Sequence, residues 1–228
     1  MFYRTLSRVI EPLLGGPHIE SLDTKIENNF VNKDGVACLV SDRTTTLVFH
    51  TNNDATIDVG FTREMRSIAG LANSSLYELR RLEVDGDELP VASLEHEDRG
   101  ATIQFRYVHD SAMVANDTLR VYIKERLVLP TNDVIYWKVR EDRSLRRLNV
   151  HCKFDLPVHP QLLVYGFPAD GAARRPNQYE DSCDIEWEGW MIPHHNFTIK
   201  WDSPDAAEIP RRDVHEGPQA VCLRAHES

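Results

Sequence analysis

Between Leu119 and Phe154 the chain carries nine basic residues and four acidic ones, inside a sequence whose formal net charge is −10. In an extended chain, alternate side chains point to opposite faces. If 119–129, 134–140 and 146–154 are strands, Arg120, Tyr122, Lys124 and Arg126 share one face of the first. Tyr136, Lys138 and Arg140 share one face of the second, and Arg147, His151 and Lys153 one face of the third. The connectors 130–133 and 141–144 are short and rich in turn formers, which predicts an antiparallel meander. Its cations and two tyrosines would then lie on one surface. Like charges about 5 Å apart across strands repel unless an anion sits among them. Arginine with tyrosine suits a phosphate and a stacked base. These residues are therefore candidates for binding a phosphate-bearing or nucleotide-like small ligand, or an acidic protein partner. A solvated outer face, or pairing with Glu95, Glu97 and Asp98, would produce the same pattern.

Trp187, Trp190, Phe197 and Trp201 crowd one stretch near Gly189 and read as core plugs. Trp190 falls on the polar side of its strand and is the candidate for ligand contact. Gly189 predicts a bulge or a close approach of two strands. His194-His195, and His151 with His159, match no metal template, so no metal site is expected. Asp184, Glu186 and Glu188 alternate onto one face, where paired carboxylates could in principle hydrolyse a glycoside; a solvated edge is the plainer reading. There is no GxSxG, no glycine-rich phosphate loop and no cysteine in an activating context. The expectation leans away from an enzyme and includes no cofactor.

The elements that would position these residues change period along the chain. Phe2, Leu6, Val9, Ile10, Leu13 and Leu14 form a helical stripe ended by Gly15-Gly16-Pro17. Ile19, Leu22, Ile26 and Phe30 predict a second helix by their spacing of 3, 4 and 4. Residues 1–35 thus read as a helical segment, one route to a homo-oligomer. From residue 36 the period is 2, giving about nine or ten strands to residue 203, with a hairpin signal at Asp85-Gly86. Residues 62–78 interrupt it as a short helix or irregular crossover. Leu162 to Phe167, apolar on both faces, reads as a central strand. Residues 204–228 read as a tail. The predicted fold is mainly β: an antiparallel β-sandwich or β-barrel with a short N-terminal helical segment.

Composition sets the outer limits. In 228 residues, 41% hydrophobic and 27% charged content is globular. Four cysteines without a CxxC pair, no secretory-type leader and no apolar run near the roughly 20 residues of a membrane span predict a cytoplasmic chain with buried thiols. The acidic balance argues against nucleic acid and membrane insertion. The expected function is a non-enzymatic binding or sensor module for an anionic ligand or acidic partner. A structural or assembly subunit, and a hydrolase with a loop-built carboxylate site, are the alternatives.

Overall fold

The computed structural model describes residues 16–33, 35–91, 94–138, 144–165, 177–191, 195–205 and 207–209, apart from the Lys138 side chain. The stripe over residues 2–14, Arg140, His194, Cys222 and most of the expected tail lie outside the described residues. The chain is mainly β. Its strands are β1 (His18–Lys33), β2 (Val36–His50), β3 (Ala55–Asp58), β4 (Phe61–Arg66), β5 (Tyr77–Val84), β6 (Asp87–Glu88), β7 (Glu95–Asp98) and β8 (Thr102–Tyr107). They continue with β9 (Asp110–Met113), β10 (Thr118–Pro130), β11 (Ile135–Lys138), β12 (Leu145–Phe154), β13 (Gln161–Tyr165), β14 (Asn177–Gln178), β15 (Ser182–Met191) and β16 (Asn196–Lys200).

Eight strands form one sheet in the order β14-β15-β12-β1-β2-β10-β5-β6, and three smaller sheets comprise β4-β8-β7, β11-β16-β13 and β3-β9. Among the described residues no sheet closes into a barrel. One face of the large sheet is apolar and packs on the small sheets. Tyr77 of β5 meets Phe105 of β8 at 4.9 Å between ring centroids, and Phe154 of β12 meets Trp201, just after β16, at 5.3 Å. Leu22, Ile26, Leu39, Val121, Leu148 and Ile185 are buried along the same face.

Residues 19–30 are not a helix. They belong to β1, which pairs along its whole length with β2 and runs parallel to β12. Leu22, Ile26 and Phe30 are four apart, and four is also a multiple of the strand period of two. The intervening inward positions are Thr24 and Asn28, whose polarity hid the alternation. Ile19 sits beyond a register shift, which moves it into the core out of phase. Asn73–Ser75 form a 3-10 turn, and no α-helix occurs among the described residues. Of residues 62–78, where a short helix or irregular crossover was expected, 62–66 belong to β4, with Met65 buried against the core, and 67–76 form an irregular connection to β5 that includes this turn.

The meander is also corrected. β10 lies between β2 and β5, β12 between β1 and β15, and β11 pairs with β16 in another sheet. Short, turn-rich connectors led to this expectation, but all three segments gain their neighbours from distant parts of the chain. β13, expected to be central, is an edge strand with Val164 and Tyr165 exposed. The hairpin signal holds: Asp85 and Gly86 take φ of 52° and 91° between β5 and β6, the paired positive values of a type I′ turn. Gly189 takes φ of +143° inside a register shift between β12 and β15, the bulge expected there.

Candidate functional site

The outward face of the large sheet carries most of the residues proposed from the sequence. Arg120, Tyr122, Lys124 and Arg126 stand on β10, and Arg147, His151 and Lys153 on β12, all turned away from the core. β1 and β2 lie between them, so three strand spacings, about 14 Å, separate the two groups. That exceeds the Debye length of about 8 Å in physiological salt. Tyr136 and the Lys138 backbone belong to the β11-β16-β13 sheet and do not join either group. Trp190 packs its ring edge-on against His18, with centroids 5.0 Å apart.

Acids from neighbouring strands interleave with these cations. Asp42 of β2 accepts hydrogen bonds from Arg126 at 2.9 and 2.8 Å and from Arg80 at 3.2 Å. Glu20 of β1 accepts from Arg146 at 3.1 Å and Arg147 at 3.3 Å, and Glu188 lies 3.9 Å from Arg147. His151 pairs with Asp184. A depression of about 350 Å³ on this face is lined by Ser21, Asp23, Arg147, Asn149, Glu186 and Glu188, with three carboxylates against one guanidinium. Negative charge would be repelled there. The predicted anion face is thus a mixed-charge lattice of the kind that solvates a sheet.

The opposite arrangement occurs on the inward face, at residues that the sequence reading did not single out. In register across the sheet run Cys183, Cys152, Ile26, Arg43, Glu125 and Leu79. Glu125 is only 1% exposed. Arg63, reaching in from β4, donates to it from Nε at 2.9 Å and Nη2 at 3.0 Å, and the Tyr77 hydroxyl donates at 2.9 Å. Arg63 is closed off further: its Nη1 donates to the Thr62 carbonyl at 3.2 Å, and its guanidinium stacks 4.8 Å from the Phe61 ring.

Arg43 is different. It stands opposite Glu125 in the register, yet forms no ion pair with it within 4 Å. Its Nε donates to the buried Ser41 hydroxyl at 3.2 Å, and among the described residues its Nη1 and Nη2 donate to nothing. Thr45, two residues on, bonds Thr24 hydroxyl to hydroxyl at 2.6 Å. Arg43, Thr24, Thr45 and Leu47 all keep partial exposure in the middle of an otherwise buried face. Beside them, the buried Oδ1 of Asn28 has no hydrogen-bond partner.

The electrostatics follow from the count of two guanidiniums to one carboxylate. Burial pushes the Glu125 carboxyl up, but Arg63 and Arg43 outweigh it and hold it below its ordinary value. Burial, and then the Glu125 charge, push the Tyr77 phenol far up and keep it a donor. For Arg63 the attraction of Glu125 overcomes burial, and its pKa rises. For Arg43 burial wins over the more distant Glu125, aided by repulsion from Arg63, and its pKa falls. Arg43 is the cation short of a counter-charge. The one signal in the sequence was charge at an inward position: Glu125 breaks the apolar alternation of β10, as Arg63 does between Phe61 and Met65 in β4.

No family model matches this chain. No curated protein matches it either. Among solved structures, it is similar to a protein from Legionella pneumophila subsp. pneumophila str. Philadelphia 1 described as nutrient-binding, at 10% identity and a TM-score of 0.49, covering 82% of this chain and 67% of that one. An M1 zinc metallopeptidase from Deinococcus radiodurans matches at 7% identity and a TM-score of 0.40, covering 82% and 42%. The chain spans only about two-fifths of that peptidase. Likeness at this level assigns neither an activity nor a ligand to this chain.

Proposed function

We propose that this chain is a non-enzymatic binding module that takes a small anionic ligand, through a carboxylate or phosphate group, at Arg43 on the inward face of the large sheet. The carrying observation is the unbalanced charge: Arg43 and Arg63 face one carboxylate, and the Nη atoms of Arg43 are unclaimed among the described residues. A guanidinium offers a planar, two-pronged donor matched to carboxylate and phosphate oxygens. Partial burial strengthens that attraction, and the adjacent hydroxyl pair Thr24–Thr45, with one O–H spent on the other, has one donor left to offer. Ser41 fixes Nε, which leaves the outer edge of the fork for the ligand.

The expectation of an anionic ligand is kept, but it moves from the outer cations to the inner pair. Of the outer cations, Arg126 already has Asp42 as a partner, Arg147 has Glu20 and Glu188, and His151 has Asp184. The test is a thermal-shift panel of phosphorylated and carboxylated compounds, including cyclic and linear nucleotides, on the native chain, Arg43→Met and the double variant Arg126→Glu/Arg147→Glu. Stabilisation that survives the outer double variant and vanishes with Arg43→Met supports the reading. Loss on the outer variant alone, or equal stabilisation of all three proteins, refutes it.

A further inference from the structure

Cys152 of β12 and Cys183 of β15 are direct cross-strand partners in an antiparallel pair. Both face inward, at 0% and 1% exposure. Opposed residues in such a pair have Cα atoms about 4.5–5.5 Å apart, inside the roughly 4.4–6.8 Å window of disulfides. Directly opposed residues of an antiparallel pair project to the same face of the sheet, so the two thiols are side-by-side neighbours in the core. On the other side of Cys152, the Asn28 amide donates to Sγ at 3.2 Å, which fixes its rotamer and favours negative charge on sulfur. Cys38 supplies a contrast within the same sheet: its cross-strand neighbours are Val31 and Pro130, so it has no thiol to join.

We propose that Cys152 and Cys183 are a dithiol modification site that closes to a cross-strand disulfide inside the intact sheet, with a low-molecular-weight disulfide as oxidant. In the first step one protein thiolate attacks a sulfur of the oxidant, forms a mixed disulfide and expels one small thiolate. In the second, the other protein thiolate attacks the protein-side sulfur, forms the Cys152–Cys183 bond and expels the second small thiolate. The two protons lost by the protein thiols end on the two small thiols, and the oxidant is reduced by two electrons. The neighbouring Cys183 thiol, and then burial, raise the Cys152 pKa, so the closed sheet reacts slowly. Access comes through β14, a strand of two residues that pairs with Cys183 and Asp184 and is the sheet edge on this side. The bond would tie β15 to β12, and with it the bulge at Gly189.

The chain unfolded in urea and refolded in oxidised glutathione, where burial limits nothing, provides the test. Cys222→Ser is run beside the native chain to remove the thiol of the C-terminal stretch. The expected result is one linked pair of peptides, Cys152 with Cys183, in both proteins, and an intact mass lower by two hydrogens for Cys222→Ser. The far-ultraviolet strand signal should be unchanged, and dithiothreitol should reverse the link. A second sample, oxidised while folded, should form the same link more slowly, with mild urea accelerating it. The proposal is overturned if refolding yields only glutathione mixed disulfides or links through Cys38 or Cys222. It is equally overturned if the Cys152–Cys183 link costs the strand signal, or if the folded chain never forms it even in mild urea.

Discussion

Replacing Glu125 by glutamine tests the electrostatic core directly. The substitution keeps shape and leaves Tyr77 an oxygen to bond, but removes the charge that two guanidiniums share. Glu125 is 1% exposed and Arg63 retains a quarter of its side-chain surface, so screening by water discounts the interaction only modestly. Removing one partner of a buried ion pair costs about 3–5 kcal/mol, because the remaining charge stays buried and unpaired. The partial exposure of Arg63 places the expectation near the lower end, about 3 kcal/mol, a drop in melting temperature of roughly 6–12 °C for a chain of this size. Urea unfolding at neutral pH measures it. The pH dependence supplies a second check. The Glu125 pKa lies below its ordinary 4.5 in the fold, so near that pH the unfolded chain binds more protons than the folded one. The stabilisation is therefore present above about pH 4.5 and lost as pH falls through the lower folded value. The gap between native and Glu125→Gln should narrow on acidification, because the native carboxyl then becomes neutral too. A cost below about 1 kcal/mol, or a gap that stays constant from pH 7 to pH 3, would refute the network as a source of stability.

Three further outcomes follow from the same geometry. Arg126→Glu with Arg147→Glu should change stability at neutral pH by only about 1 kcal/mol, since exposed pairs contribute little, and urea midpoints check this. Phe154→Ala removes a fully buried ring stacked with Phe30 and packed on Trp201, and should cost about 3–5 kcal/mol by the same assay. Gly189→Ala forces a left-handed φ on a residue with a Cβ that would sit 3.4 Å from the Trp187 Nε1, and should cost about 1–3 kcal/mol with a change in tryptophan fluorescence.

How much of this was legible in the sequence depends on which spacings carry unique information. Period-2 runs such as Leu119 to Leu129 identified strands and their faces, and Asp85-Gly86 identified its hairpin, because both signals are local. β1 misled because an inward face with Thr24 and Asn28 leaves apolar residues four apart, the same spacing as a helix. Pairing is a long-range property. β12 lies parallel to β1, more than a hundred residues earlier, and no local pattern announces that. The candidate site was missed for a related reason. Arg43 lies in a polar run, Ser41 to Thr46, where the positions of both faces are hydrophilic, so alternation alone does not assign its direction. Only the register opposite Glu125 turns it inward.

The two faces of the large sheet use the same charged residue types to opposite effect, and the dielectric decides which can hold a ligand. On the outer face, cations and acids alternate across strands at high dielectric, where a unit pair at 4 Å is worth about 1 kcal/mol and an arriving anion meets as much repulsion as attraction. On the inner face, the same distance at an effective dielectric near 20 is worth about 4 kcal/mol. Arg63 spends that attraction on Glu125 and is saturated, while Arg43 keeps a fork of donors with no acid in contact. A single anion at Arg43 would bring two guanidiniums and one carboxylate to neutrality. The folded chain leaves Arg43 without a contacting acid in a place where compensation is strong, and in the proposed reading that residual cation, rather than the larger number outside, would set the sign and the position of the ligand.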